Sequence, residues 1–185
     1  MTLTNHNIEQ LITLCLEENQ FAQLEIYNRY YKAMYNTALR IVKDSYEAED
    51  VMQDAFLLAF TKLKSLKDIK TFGAWLKRIV INKSIYHYNK STKFDEVSLD
   101  EVLYKVEDPG GFTEDYAFKS IQAKQVIDTM NSLKDNYRVA LTLHLIEGYD
   151  YEEISEILKW SQANCRTTIS RAKTSLRKKM QALVC

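Results

Sequence analysis

Hydrophobic residues recur at intervals of three and four along nearly the whole chain, the period of a helix with one buried face and not of a strand. A single proline and four glycines leave few places for the chain to turn, so the pattern predicts an all-α protein. The periodicity weakens from about residue 91 to 115, where Asp108-Pro109-Gly110-Gly111 sets the only proline beside half of the glycines. This stretch predicts a flexible linker over 93–115 between a helical domain at 1–92 and a second at 116–185.

Two segments carry more than a bare period. Within 51–66, Val51, Met52, Ala55, Phe56, Leu58, Ala59, Phe60, Leu63 and Leu66 are apolar around more of a helix than one core face needs, which predicts an additional partner. Asp44 followed by Glu47 predicts a capping box at the start of this helix. Glu47, Glu49, Asp50 and Asp54 then suit the positive end of its dipole and need no catalytic explanation. Lys64 to Phe72 is polar and basic and predicts a loop, after which Phe72, Trp75, Leu76, Ile79 and Val80 resume core spacing, with Trp75 expected inside.

The second segment is near the end. Asp150 and Glu153 are spaced to cap a helix in which Ile154, Ile157 and Leu158 face a core. Ser161 can cap another helix after a very short turn, and there Cys165, Ile169, Ala172 and Leu176 form one apolar stripe. The opposite face carries Arg166, Thr167, Ser170, Lys173 and Arg177. A short helix, a tight turn and a basic second helix predict a helix-turn-helix that lays the second helix in a major groove. Ser161, Gln162 and Asn164 sit at the positive end of that helix, where phosphate is favoured.

Charge strengthens this reading. The chain has no net charge, yet residues 61–94 hold nine basic and one acidic residue, 95–118 hold one basic and eight acidic, and 159–185 hold seven basic and none acidic. Surface charge is screened beyond about 8 Å at physiological salt, so these local fields decide partners more than the neutral total.

The order of segments resembles a known family. Ser45-Tyr-Glu-Ala-Glu-Asp-Val-Met-Gln-Asp-Ala-Phe56 and Phe72-Gly-Ala-Trp-Leu-Lys-Arg-Ile-Val-Ile-Asn82 are similar to region 2 of the sigma-70 family in its extracytoplasmic-function (ECF) branch. Leu133 to Leu141, Glu147 to Leu158 and Arg166 to Leu176 resemble region 4 of the same branch. The resemblance implies a region 2 helical bundle and a region 4 helix-turn-helix in a promoter-specificity subunit. It implies binding to core RNA polymerase through the clamp and flap regions, recognition of promoter DNA at two elements, and an anti-sigma factor as regulator.

Residue roles follow from the resemblance. Asp50, Val51, Gln53 and Asp54 would bind core polymerase. Lys67, Asp68 and Lys70 would form the loop that captures an unstacked base at the minus-ten element, with Phe72, Trp75, Lys77, Arg78, Asn82 and Lys83 beside it. Ser161, Gln162, Asn164, Arg166, Thr167, Thr168, Ser170, Arg171 and Lys173 would contact the minus-thirty-five element. The acidic linker would thread the polymerase's basic channels. Two departures stand out: Thr167-Thr168 occupies the place of a common serine-arginine, and Lys159-Trp160-Ser161 that of glycine, leucine and proline.

Other classes find little support in the sequence. His6, His87 and His144 lack metal-ligand spacing, no glycine-rich phosphate loop occurs, and no catalytic residue, metal or cofactor is expected. Cys15, Cys165 and Cys185 are far apart and are expected as reduced thiols. No apolar run reaches the ~18 residues of a membrane span, and the first residues lack the features of a signal peptide, which predicts a cytoplasmic protein without direct membrane insertion. The main rival is a helix-turn-helix regulator that binds duplex DNA without polymerase.

Overall fold

Side-chain caps set where most of the helices begin. Asn7 opens α1 (Ile8–Leu16) with a reciprocal capping box to Gln10, and Asn19 accepts the Ala22 N–H at the start of α2 (Gln20–Val42). Asp44 accepts the Glu47 N–H at 2.9 Å to start α3 (Ser45–Thr61). The expected capping box forms there only in this forward direction, in contrast to Asp150 and Glu153, which bond reciprocally at 2.8 and 3.1 Å at the head of the seventh helix. Each such cap satisfies an N–H that the helix cannot, worth about 1 kcal/mol.

The computed structural model describes residues 3–94 and 114–183, and of 91–94 and 114–122 the helical backbone alone. The remaining helices are α4 (Phe72–Phe94), α5 (Glu114–Asn131), α6 (Asp135–Leu141), α7 (Tyr151–Leu158) and α8 (Gln162–Ala182). The described residues hold no strand. The chain divides into two compact units, Met1–Lys93 and Phe94–Cys185. Most of the predicted linker at 93–115 lies outside the described residues.

In the N-terminal unit α2 packs along α3, with α1 against α2. Leu11, Ile12, Ala22, Ile26, Val51, Met52, Ala55, Phe56, Phe72, Leu76 and Val80 share one core. Burying each large apolar side chain contributes roughly 1.5–3 kcal/mol. The first turn of α4 lies close to the Tyr30 ring: a Cβ on Gly73 would sit 3.2 Å from Tyr30 Cε1, so a larger residue there would require the ring to give by a few tenths of an ångström. In the C-terminal unit α5, α6 and α7 all pack on α8, around Leu141, Leu143, Ile154, Cys165, Ile169 and Ala172. Arg138 is buried there, with Nη2 3.1 Å from Asp135 Oδ1, a pairing that offsets part of the cost of taking a cation out of water. After α6 the helix widens into a π turn at Thr142–Ile146, and Gly148, at φ 81°, takes the left-handed conformation that turns the chain toward α7.

Candidate nucleic-acid interface and docking face

The turn between α7 and α8 is built by the backbone. Lys159 adopts the left-handed conformation (φ 55°, ψ 38°), which lets its N–H reach Glu156 O at 3.4 Å and the Trp160 N–H reach Ser155 O at 3.0 Å. These two bonds close the helix in the Schellman manner, and the αL position explains why glycine is the easier residue there. Ser161 Oγ then accepts the Asn164 N–H at 3.2 Å and α8 begins. The turn is therefore only three residues long.

On α8 the buried stripe is Cys165, Thr168, Ile169 and Ala172. Ser161, Gln162, Asn164, Arg166, Thr167, Ser170 and Arg171 are all exposed. One expected contact is corrected: Thr168 is only 8% exposed, and its Oγ1 donates to Asn164 Oδ1 at 3.2 Å, so it braces Asn164 from behind and does not face outward. Lys173 is half-buried at the edge of the stripe, its Nζ 3.0 Å from His144 Nε2. Cys165 is fully buried, and burial pushes its thiol above the ordinary cysteine range against the opposing pull of Arg166.

In the N-terminal unit the predicted loop is ordered by two short 3₁₀ turns, Leu63–Ser65 and Ile69–Thr71. Asp68 shapes the second. Its Oδ1 accepts the Lys70 N–H at 3.0 Å, while its carbonyl accepts from Thr71 Oγ1 at 2.7 Å. This holds Lys67, Asp68 and Lys70 outward, all exposed. Phe72 follows with 0% exposure, edge-on to Tyr30 with centroids 5.5 Å apart and 6.0 Å from Trp75. A direct contact between Phe72 and a base is thereby corrected to a packing role, since its ring is covered on every side. Trp75, Lys77 and Arg78 are half-buried on α4 and Asn82 is exposed. Lys83 turns toward α3, where its Nζ pairs with Asp54 Oδ2 at 3.1 Å.

Of the expected polymerase contacts, Asp50, Gln53 and Asp54 are exposed on α3, whereas Val51 is fully buried and serves the core. The exposed apolar residue next to them is Leu57, 68% exposed, beside Tyr27, Phe56 and Phe60, which with Gln53 line a shallow open pocket. Leu57 escaped the spacing argument because it breaks the core period. The consecutive run Phe56-Leu57-Leu58 was the available signal, since three adjacent helical residues cannot all face one core. Cys15 is buried, which raises its thiol to about 11. Among the described residues no group of three or more histidines, cysteines or acids is placed to hold a metal, and no helix is long and apolar enough to cross a membrane.

Comparisons with known proteins converge on the same segments. Residues 26–94 match Sigma-70 region 2, and residues 123–176 match Sigma-70, region 4. The chain is 30% identical to the RNA polymerase sigma factor YlaC of Bacillus subtilis, over 84% of this chain and 90% of that one. It is 31% identical to the ECF RNA polymerase sigma factor SigM of the same organism, over 83% and 91%. Among solved structures, the fold is similar to the sigma factor RpoE of Bartonella quintana in complex with the anti-sigma factor NepR. The TM-score is 0.58 and the identity 20%, over 85% of this chain and 95% of that one.

Proposed function

We propose that this chain, which belongs to the ECF branch of the sigma-70 family of RNA polymerase sigma factors, divides promoter recognition between a duplex-reading helix in its C-terminal unit and a strand-capturing surface in its N-terminal unit. The observation that carries the residue roles is the exposed side of α8. Gln162, Asn164, Arg166, Thr167, Ser170 and Arg171 all face solvent directly after a three-residue turn, with no acidic residue in the helix. That surface suits a major groove at the minus-thirty-five element, and Ser161 and the first N–H groups of α8 suit a flanking phosphate.

In the N-terminal unit Lys67 and Lys70 attract the non-template strand at the minus-ten element, and Asp68 shapes their turn. Lys77, Arg78 and Asn82 on α4 continue the path, with half-buried Trp75 beside them. Buried Phe72 anchors the turn to α2, so it acts on DNA only through the position of its neighbours. Asp50, Gln53 and Asp54, with Leu57 in place of Val51, form the face that docks on the polymerase clamp. Because Asp54 holds Lys83, the docking face and the DNA-facing helix share an edge. In the other unit Leu145 and Ile146 are exposed and offer an apolar spot for the flap.

The domain limits we assign are 1–92 and 116–185, joined by an acidic tether at 93–115. The chain works in the cytoplasm, contributes no catalytic step of its own and is held in check by an anti-sigma protein. Run-off transcription from a genomic library, with core polymerase alone and with the chain added, tests the reading. New promoter-specific transcripts that depend on the chain are expected. Tight, specific binding to duplex DNA without polymerase, coupled with failure to assemble with core, would instead identify a stand-alone regulator.

A further inference from the structure

His144 lies in the π turn Thr142–Ile146, beside the exposed Leu145 and Ile146, and of the residues assigned to DNA contact it meets Lys173. Its Nδ1 is 3.0 Å from the Tyr149 carbonyl oxygen, its Nε2 is 3.0 Å from Lys173 Nζ, and its ring stacks on Tyr151 with centroids 5.0 Å apart and planes 24° apart. A carbonyl only accepts and an ammonium only donates. Both contacts are hydrogen bonds in one form of the ring alone, the neutral tautomer with its proton on Nδ1. The Tyr149 carbonyl therefore selects the tautomer, and that tautomer leaves the Nε2 lone pair for Lys173.

Lys173 shares one edge of α8 with Arg166, Ser170 and Arg177, at spacings of four, three and four residues. A lysine stem carries large rotamer freedom, which a phosphate contact must freeze. Here the bond to His144 has frozen much of it already, while two of the three ammonium protons remain to be donated.

We propose that His144 is a positioning residue for the recognition helix: its Nε2 holds the Lys173 ammonium where a DNA phosphate meets it. This rests on the reading of α8 as the duplex-contacting helix. The ring stack and the Tyr149 bond keep the imidazole in register, so the contact is set before DNA arrives.

The test is the salt dependence of promoter binding by holoenzyme, assembled from core polymerase and the full chain, on a promoter duplex recovered by run-off screening. Lys173→Met should lower the slope of log affinity against log salt by about 0.9, roughly a 3-fold change in affinity over a fourfold rise in salt. His144→Phe keeps a ring for Tyr151 but has no acceptor; the freed lysine must then be ordered on binding, so affinity at fixed salt should fall several-fold while the slope stays near wild type. In a Lys173→Met background it should lose nothing more. His144→Gln, which places an amide oxygen near the Nε2 position, should restore most of the loss. Wild-type slope with Lys173→Met would remove Lys173 from the interface and overturn the underlying reading. A slope reduced by Lys173→Met together with affinity at fixed salt untouched by His144→Phe would overturn the inference alone, as would tighter binding by His144→Phe. Nitrogen-15 spectra of the unaltered full chain give an independent check that needs no variant to fold: a neutral His144 with its proton on Nε2 also overturns it.

Discussion

In the C-terminal unit the candidate DNA surface is one side of one helix, and the residues behind it, Cys165, Ile169 and Ala172, belong to that same helix. In the N-terminal unit the corresponding surface is assembled from a 3₁₀ turn at Ile69–Thr71, the start of α4 and a lysine that α3 holds by its Asp54. The first surface inherits its geometry from helical periodicity. The second takes its geometry from contacts between elements distant in sequence, such as Phe72 against Tyr30. A substitution on the exposed side of α8 should therefore change DNA contact and leave folding alone, whereas one near the N-terminal turn changes both.

The largest expected effect tests that entanglement. Phe72→Ala should destabilise the N-terminal unit by about 3–5 kcal/mol, as for other buried aromatics, seen as an early unfolding transition in urea. If the ring instead stacked on a base, the midpoint would hold and only open-complex formation would fall, by the 1–3 kcal/mol typical of a stacked base. Arg166→Ala and Arg171→Ala probe the other unit. Each should cost about 1–3 kcal/mol at one base pair if it reads a base, or lower the salt slope by about 0.9 if it holds a phosphate. Stability should move by no more than about 0.5 kcal/mol for such exposed positions. Holoenzyme binding across a promoter series, paired with urea unfolding, measures both, and a large loss of stability would erase the contrast between the units. The smallest effect concerns the turn. Lys159→Gly should raise the stability of the C-terminal unit by about 0.5–1 kcal/mol, because glycine accepts the left-handed conformation that a side chain resists. An unchanged or lower melting temperature would show that Lys159 gains something its strained backbone conceals.

The helix-turn-helix was legible because its signals are local. Asp150 with Glu153, Ser161 and the spacing of Cys165, Ile169 and Ala172 all act within about a dozen residues, and each appears in the structure as a cap or a buried position. Thr168 shows where that reasoning stops. Its hydroxyl reads as a surface group, yet it lies at the margin of the buried stripe and is satisfied by Asn164. In the N-terminal unit Val51, expected at the polymerase face, is buried, and Leu57, for which no role was expected, is exposed, although both are apolar residues of one helix. Hydrophobicity alone cannot say which side of α3 the long helix α2 will cover.

Amino-acid order alone determined the helical class, the caps, the basic side of α8 and the family to which the chain belongs, because each depends on residue type at short spacing. Tertiary structure decided which candidates face outward and which support them from within: Phe72 under Tyr30, Lys83 drawn to Asp54, and Lys173 held by His144, 29 residues away in the chain. The physical reason is that hydrogen bonds and packing act over a few ångströms in space, and only folding brings such distant residues within that range.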